Sequence, residues 1–172
     1  GGWGGWHIDP ETGAPVYDLP ANGNPDIDEA LSKCDVVIYD IQDVGTRSYT
    51  FISTLGLVMQ VCGELGIEVM VLDRPNPLGG EKVEGNFVEP GFFSFVSQYE
   101  IRYVYGLTVG ELAVMMNEEG LNRGQTGDEK HVKCKLTVIP MEGWKRNMVY
   151  ADTKLPWVLP SPNIPTAEAA IH

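Results

Sequence analysis

Two runs of apolar residues, separated by a segment with helical spacing, dominate the first half of the chain. The first, "DVVIYDIQ" at residues 35–42, is continuous and rich in β-branched side chains, which predicts a strand covered on both faces. Steps of four and three residues then predict a helix over about residues 48–65, ending at Gly66. The apolar positions of this helix are Phe51, Leu55, Val58, Cys62 and Leu65. The run "EVMVLD" at residues 68–73 predicts a second buried strand, parallel to the first and joined to it by a right-handed crossover.

Weaker patterns place the remaining elements. "PDIDEALSKC" at residues 25–34 predicts a short helix with an acidic N-terminus, at Asp26 or Asp28. "TVGE" at residues 108–111 is a capping box, and it predicts a helix over residues 109–119. That helix should bury Leu112, Met115 and Met116. "KCKLTVIPM" at residues 133–141 predicts a third strand.

The segments between these elements are rich in turn-forming residues. Residues 1–25 predict a loop with one extended piece, "APVYDL", and residues 81–105 predict irregular, aromatic chain with a short helix near residues 91–97. "NRGQTGDEKH" predicts a polar surface loop, and the proline-rich residues 155–172 predict extended or turn structure. The order of elements predicts one α/β domain over residues 1–172, with an open, mainly parallel sheet and flanking helices.

Charge and cysteine content narrow the range of partners. The chain carries 24 acidic and 12 basic residues, a formal net charge of −12. This balance argues against a nucleic-acid or anionic-membrane surface, because both need clustered lysine and arginine. It suits a neutral or cationic ligand, or serves solubility alone.

The three cysteines fit no zinc or redox spacing, and Cys62 is expected to be a buried thiol. No apolar run reaches the length of a membrane span.

Polar side chains are concentrated where the first two predicted strands end. The set after the first strand comprises Asp40, Gln42, Asp43, Arg47 and Tyr49, and the set after the second comprises Asp73, Arg74 and Asn76. Ligands bind outside the carboxyl ends of parallel strands, and neighbouring strands would bring the two sets together. Their charges allow two interpretations, a salt-bridge lattice that supports irregular loops or a set of fixed donors and acceptors for a hydroxyl-rich ligand.

Other candidate groups carry weaker signals. The aromatic residues of the irregular segments suit either stacking on sugar rings or a minor core over the sheet ends; they are Tyr99, Tyr103, Tyr105, Trp144 and Trp157. Glu84 in "VEGN" is a lone loop carboxylate, either a general acid or base or a solvated surface group. Neither the glycine-rich "GWGGW" nor either strand end forms a phosphate loop or a dinucleotide fingerprint. The scattered His7, His131 and His172 predict no metal site.

Six motifs in fixed order carry a family resemblance. They are "DVVIYDIQDVGTRSYTFISTL", "VLDRPNPLGG", "VEGN", "LTVGELAVMMN", "WKRNM" and "LPWVLPSPNIPT". Together with "IDPETGAPVYDL" they resemble the exo-β-N-acetylmuramidase family of NamZ type, glycosidases formerly grouped as a domain of unknown function. The resemblance extends from about residue 8 to residue 168.

The resemblance implies a fold and an activity. The fold is a Rossmann-like domain followed by a smaller C-terminal domain, towards which residues 155–172 would lead, with the site in the cleft between the two. The activity is release of N-acetylmuramic acid from the non-reducing end of peptidoglycan fragments by a secreted or periplasmic enzyme, without cofactor or metal. The family's catalytic glutamate is expected in a Glu-His-Gly segment upstream of "IDP", outside this chain. A basic residue and His usually precede the glycine of "GLT", and Val104 and Tyr105 stand there instead.

Candidate roles follow residue by residue from the motifs. The catalytic candidates within the chain are Asp40, Asp43, Asp73 and Glu84. The substrate-binding candidates are Gln42, Arg47, Tyr49, Arg74, Asn76, Trp144, Arg146 and Asn163. One of the three arginines is expected to bind the lactyl carboxylate of the substrate, since guanidinium and carboxylate pair in a bidentate manner. The replacement at Val104 and Tyr105 favours a competing hypothesis, a carbohydrate-binding or scaffold protein on the same fold without catalysis.

Overall fold

The computed structural model describes residues 6–17, 25–120 and 131–171. Five strands occur in this part of the chain: β1 (Trp6–Ile8), β2 (Pro15–Tyr17), β3 (Val36–Tyr39), β4 (Glu68–Leu72) and β5 (Lys135–Ile139). The α-helices are α1 (Pro25–Leu31), α2 (Phe51–Leu65) and α3 (Val109–Glu119), and short 3₁₀ helices occupy Tyr150–Thr153 and Ala167–Ile171. None of the described helices is long and apolar enough to cross a membrane.

The main sheet has the order β3-β4-β5, and both pairs of strands are parallel. Val37 pairs with Val69, and Val69 pairs with Leu136, so these three side chains lie in register on one face. The predicted strand–helix–strand unit and the third parallel strand are therefore confirmed. The extended piece near residue 16 is β2, which forms an antiparallel hairpin with β1, a strand that the sequence did not predict. The predicted loop at residues 122–131 lies outside the described residues except for His131.

Helix α2 follows its apolar spacing closely. Its inward face buries Ile52, Leu55, Val58, Met59 and Cys62, and the Cys62 thiol is free, as predicted. Gly66 adopts a left-handed conformation with φ 72°, and its N–H donates to the Cys62 carbonyl, which ends the helix as expected. The helix begins at Phe51, three residues later than predicted, and Leu65 at its last turn is exposed.

Helix α3 begins at the predicted capping box. The Thr108 hydroxyl accepts from the Glu111 N–H at 3.2 Å, and the Thr108 N–H donates to the Glu111 carboxylate at 3.0 Å. Leu112 and Met116 are fully buried, whereas Met115 is only partly buried. Helices α2 and α3 pack against β4 and against each other, so the main core lies between these two helices and one face of the sheet.

The prediction that β3 is covered on both faces is wrong within the described part of the chain. Val36 and Ile38 are 39% and 57% exposed, whereas Val69 and Val71 of β4 are completely buried. The helices α2 and α3 pack on the face that carries Val69 and Val71, and β3 is an edge strand. A continuous apolar run indicates a strand but does not indicate which of its faces a helix will cover.

Two irregular segments complete the domain. The helix predicted near residues 91–97 is absent; Ser94 and Ser97 pair through a β-bridge around a turn instead. The described part of the proline-rich segment is mostly irregular, as predicted, apart from the 3₁₀ helix at Ala167–Ile171. Trp157 stacks edge-on against Tyr150 at 4.7 Å between ring centroids, and its indole N–H donates to the Ile164 carbonyl, so these rings hold the segment to the domain.

Close packing of α2 against a buried tyrosine gives a test of the core. A Cβ atom added at Gly56 would lie 1.8 Å from the Tyr99 hydroxyl oxygen, and Tyr99 is fully buried. We expect Gly56→Ala to lower the free energy of unfolding by roughly 1–3 kcal/mol because the core would be overpacked, despite alanine's higher helix propensity. Urea unfolding measures the change, with Glu64→Ala at an exposed position of the same helix as the control. A Gly56→Ala protein as stable as wild type would contradict this packing.

Candidate functional site

A cavity of about 480 Å³ opens at the carboxyl ends of β3, β4 and β5. This volume lies within the range of roughly 300–1,000 Å³ that is usual for ligand pockets. The turn after β3, the loop after β4 and the loop after β5 all contribute to its wall. The lining residues are Asp40, Asp73, Arg74, Pro75, Met141, Glu142, Gly143, Trp144, Met148, Asp152, Thr153 and Leu155. Of the predicted site residues, the cavity therefore brings together Asp40, Asp73, Arg74 and Trp144.

The two polar sets predicted at the strand ends do meet. The Arg74 guanidinium binds Asp40 Oδ1 through both Nε and Nη2, each at 2.7 Å. The Gln42 side-chain amide donates to the Asp43 carbonyl at 2.7 Å and to the Pro75 carbonyl at 2.9 Å. These bonds fasten the turn after β3 to the loop after β4. Asp40 and Arg74 keep side-chain exposures of 49% and 37%, so their pair remains open to the cavity and to solvent.

Asp73 is oriented by the N-terminus of α3. Its Oδ2 accepts from the Thr108 hydroxyl at 2.8 Å, and its Oδ1 accepts from the Gly110 N–H at 2.8 Å and from the Arg74 N–H at 3.0 Å. A carboxylate in this place satisfies amides that the first helical turn leaves unpaired and complements the helix dipole. A Cβ at Gly110 would lie 2.8 Å from Asp73 Cγ, so glycine permits the approach. This geometry favours a supporting role for Asp73 over proton transfer.

Asp43 lies deeper, behind the cavity wall. Its side chain is buried, and Oδ2 accepts from the Tyr105 hydroxyl and from the Gly45 N–H. Its Oδ1 is buried without a hydrogen-bond partner among the described residues. Burial raises the pKa of this carboxyl to about 6, although the bonds from Tyr105 and Gly45 lower it. Asp43 is therefore an acid with a raised pKa that does not line the main cavity.

A narrow polar recess beside the cavity contains Asp43. It shares Arg74 and Pro75 with the cavity and is also lined by Gln42, Asp43, Asn76, Tyr105, Leu107 and Val109. The Asn76 amide donates to the Leu107 carbonyl at 2.9 Å, and its oxygen accepts from the Leu78 N–H at 2.9 Å. Asn76 and Gln42 thus hold backbone segments together in this structure, and the substrate-binding roles predicted for them stay predictions.

The other two arginines of the prediction bind backbone carbonyls. Arg47 donates to the Asn86 carbonyl at 2.6 Å and to the Ile101 carbonyl at 2.7 Å, so it fixes the irregular segment 81–105. Arg146 donates to the carbonyls of Gly80 and Gly106 at 3.0 and 2.8 Å and pairs with Glu111 at 2.5 Å. Neither guanidinium lines the cavity described above.

The remaining candidates are distributed around the domain. Tyr49 packs edge-on against Phe51, with 4.6 Å between ring centroids. Glu84 is exposed and lies 3.6 Å from the Lys82 ammonium, and Asn163 is exposed in the proline-rich segment, where its N–H donates to the Ser161 hydroxyl. Trp144 does line the cavity. Its indole N–H is buried without a partner among the described residues, and its ring packs over Gly80.

Most of the cavity-lining residues in the loop after β5 were not predicted from the sequence. Met141, Glu142, Met148, Asp152 and Leu155 line the cavity, yet only Trp144 and Arg146 of this region were predicted. Ligands bind outside the carboxyl ends of parallel strands, and this rule, which located the first two polar sets, applies equally to β5.

The lining of the cavity carries four carboxylates and one guanidinium. In the described part of the chain, no group of three or more His, Cys, Asp or Glu could hold a metal ion.

The different surroundings of two cavity carboxylates predict different stability effects. We expect Asp73→Ala to lower the free energy of unfolding by roughly 2–3 kcal/mol, because charged hydrogen bonds to Thr108 and Gly110 are lost. Asp40→Ala, which breaks a solvent-exposed pair, should cost no more than about 1 kcal/mol. Urea unfolding of the two variants measures both effects. Equal losses would contradict the supporting role of Asp73.

The raised pKa of Asp43 predicts that the stability of the fold depends on pH. The folded chain holds its proton up to about pH 6, whereas the unfolded chain releases it near the usual value of 3.8. This carboxyl therefore stabilises the fold at acid pH, and the contribution is lost as the pH rises from about 4 to above 6. The loss amounts to roughly 3 kcal/mol at most. Unfolding measured across this range should show a smaller decline for Asp43→Asn than for wild type, and parallel curves would refute the assignment.

Comparison with known proteins supplies a family. Residues 5–168 match the family described as "Exo-beta-N-acetylmuramidase NamZ, N-terminal". The chain is 46% identical over 165 residues to peptidoglycan beta-N-acetylmuramidase NamZ of Bacillus subtilis (strain 168), covering 96% of this chain and 37% of that protein.

Two crystal structures of DUF1343 family proteins from Bacteroides fragilis NCTC 9343 share the fold. One has a TM-score of 0.85 at 49% identity, covering 94% of this chain and 40% of its own. The other has a TM-score of 0.77 at 34% identity, covering 95% and 42%. The chain thus spans about two fifths of the length of these relatives. The similarity confirms the Rossmann-like α/β fold and the family that the six motifs indicated: the chain belongs to the exo-beta-N-acetylmuramidase NamZ family and corresponds to its N-terminal part.

Proposed function

We propose that the full-length protein is a glycoside hydrolase of peptidoglycan turnover that releases N-acetylmuramic acid from the non-reducing end of glycan fragments. The observation that carries the proposal is the cavity at the sheet edge, where Asp40, Arg74 and Trp144 converge in a chain of this family. The name of the Bacillus subtilis relative, a peptidoglycan beta-N-acetylmuramidase, supports the class of substrate.

Glycoside hydrolysis usually employs two carboxyl groups on either side of the scissile bond. Asp40 is our candidate for one of them, because it lines the cavity, is half exposed and has Arg74 as its partner. Asp73 and Asp43 are held by internal donors, and Glu84 lies on an exposed loop. We assign the other carboxyl to a part of the full-length protein beyond these residues, since the relatives are about two and a half times as long.

Substrate recognition in this proposal combines one aromatic ring and one guanidinium. Trp144, with Met141 and Met148 beside it, offers an apolar surface for the flat face of a sugar ring. Arg74 is the candidate for the lactyl carboxylate, because Arg47 and Arg146 are already bound to backbone carbonyls. The weak, exposed pair with Asp40 leaves the Arg74 guanidinium accessible to such a ligand.

A second function, carbohydrate binding without catalysis, is favoured by one specific observation. Asp43 and Asp73 are held by internal hydrogen bonds, whereas Asp40 is exposed, lines the cavity and pairs with Arg74. These three residues therefore provide one accessible carboxylate, although glycoside hydrolysis usually employs two. A chromogenic β-N-acetylmuraminide separates the two functions when it is given to the full-length protein. Release of the chromophore supports hydrolysis, whereas saturable binding without release supports the binding module and overturns the proposal.

The role assigned to Arg74 gives a prediction about substrate selectivity. In the full-length protein, Arg74→Ala should raise KM for the muraminide roughly 10- to 100-fold, as expected for the loss of a charged hydrogen bond. KM for the corresponding glucosaminide, which lacks the lactyl group, should change much less, which distinguishes lost recognition from a displaced Asp40. Arg102→Ala is the matched control, since Arg102 lies over Phe87 and donates to the Gly85 carbonyl. An unchanged KM for the muraminide would remove Arg74 from this role.

A further inference from the structure

The contact between Tyr105 and Asp43 joins two segments that are 62 residues apart. Both side chains are buried. Tyr105 comes from the segment that precedes α3, and Asp43 belongs to the turn after β3. We propose that Tyr105 is a positioning residue for the cavity: its hydroxyl holds the Asp43 carboxylate and thereby fixes the turn that carries Asp40. This inference rests on the proposed function, because Asp40 is the catalytic candidate of that proposal.

The turn around Asp43 is held from several sides. The Gly45 N–H donates to Asp43 Oδ2 at 2.9 Å, and Gly45 has φ 84° with its Cα facing the Asn76 amide, where a Cβ would lie 2.3 Å from Oδ1. The Gln42 amide ties the same turn to the Pro75 carbonyl. The Tyr105 hydroxyl supplies the side-chain donor from the segment before α3, so it completes the attachment of the turn.

The hydroxyl is needed because a buried carboxylate requires donors. Oδ1 of Asp43 is buried without a hydrogen-bond partner in the described residues, so loss of the Tyr105 bond would leave the backbone N–H groups of Gly45 and Val44 as the donors that favour the carboxylate. A buried charge with so few donors raises the free energy of the folded state. We therefore expect either that the turn moves until Asp43 contacts water or that Asp43 binds a proton. Burial and the Asp43 carboxylate also raise the pKa of Tyr105 well above its usual value, so the hydroxyl stays a donor at neutral pH.

Displacement of the turn around Asp43 would also move residues that line the cavity. Asp40 lies three residues before Asp43 in the turn, and Arg74 binds Asp40 Oδ1 through Nε and Nη2. Other ionisable groups that face Asp43 or share its recess are Tyr39 at the end of β3, Tyr49 in the turn and Arg74 after β4. Tyr39 donates to the Phe51 carbonyl and Arg74 is paired with Asp40, so neither is predicted to replace the Tyr105 bond.

The test compares Tyr105→Phe with wild type in the full-length protein. The substitution removes one oxygen atom and keeps the ring. We expect kcat for the chromogenic muraminide to fall roughly 10- to 100-fold, as when a positioned group is displaced, while KM changes less than about threefold. Tyr105→His, which retains a donor, should recover part of kcat. Tyr103→Phe is the control, since Tyr103 is exposed and its hydroxyl is bonded to the Ser48 hydroxyl at 3.0 Å, away from Asp43.

A second measurement does not depend on turnover. Carboxyl ¹³C NMR should show a higher pKa for Asp43 in Tyr105→Phe than in wild type, because the Tyr105 bond lowers it. The Arg74 Nε–H resonance should broaden or shift as its bond to Asp40 loosens. If kcat, the Asp43 titration and the Arg74 resonance all match wild type, Tyr105 only fills space and the inference is overturned. If wild type itself releases no chromophore, the proposed function fails, and the two NMR measurements alone decide the inference.

Discussion

The placement of the cavity depends on one carboxylate, that of Asp73. It stands at the end of β4 and accepts from Thr108 and Gly110 at the start of α3, so strand and helix share one anchoring point. The unpaired amides of a helix N-terminus need an acceptor, and the strand supplies one where it leaves the sheet. Since Arg74 follows Asp73 directly, the same anchor determines where the guanidinium enters the cavity. A residue that resembles a catalytic acid in the sequence is thus the support on which the candidate site is built.

The two interpretations of the polar strand ends, lattice and site, apply to different residues. Gln42, Asn76, Arg47 and Arg146 use their side chains on backbone carbonyls and hold irregular segments. Asp40 and Arg74 pair at the cavity surface with substantial exposure. The side chains that donate to backbone carbonyls form the lattice, whereas Asp40 and Arg74 are paired with each other and are left to meet a ligand. Hydrogen-bond partners distant in the chain, which a sequence motif does not record, separate the two roles.

Periodicity and capping chemistry predicted the elements well because both are local. The spacing of Leu55, Val58 and Cys62 and the Thr108–Glu111 box depend on neighbours within four residues, and both appear in the structure as predicted. The exposed face of β3 and the absent helix near residue 94 depend on which segments cover them. The contact of Tyr105 with Asp43 and the approach of Gly110 to Asp73 link residues distant in the chain. A single sequence contains no direct signal for such pairs.

Hydrogen-bond partners also explain why Arg74, rather than Arg47 or Arg146, suits an anionic group of the substrate in the proposed function. Releasing Arg47 or Arg146 would leave carbonyls such as those of Ile101 and Gly106 without their donors, and an unsatisfied buried acceptor costs about 1–3 kcal/mol. Releasing Arg74 from Asp40 breaks a solvent-exposed pair worth no more than about 1 kcal/mol. In the proposed function, a ligand carboxylate would therefore displace Asp40 from the Arg74 guanidinium at little cost, and the same event would free Asp40. Substrate binding and exposure of the candidate catalytic carboxylate would then be one step.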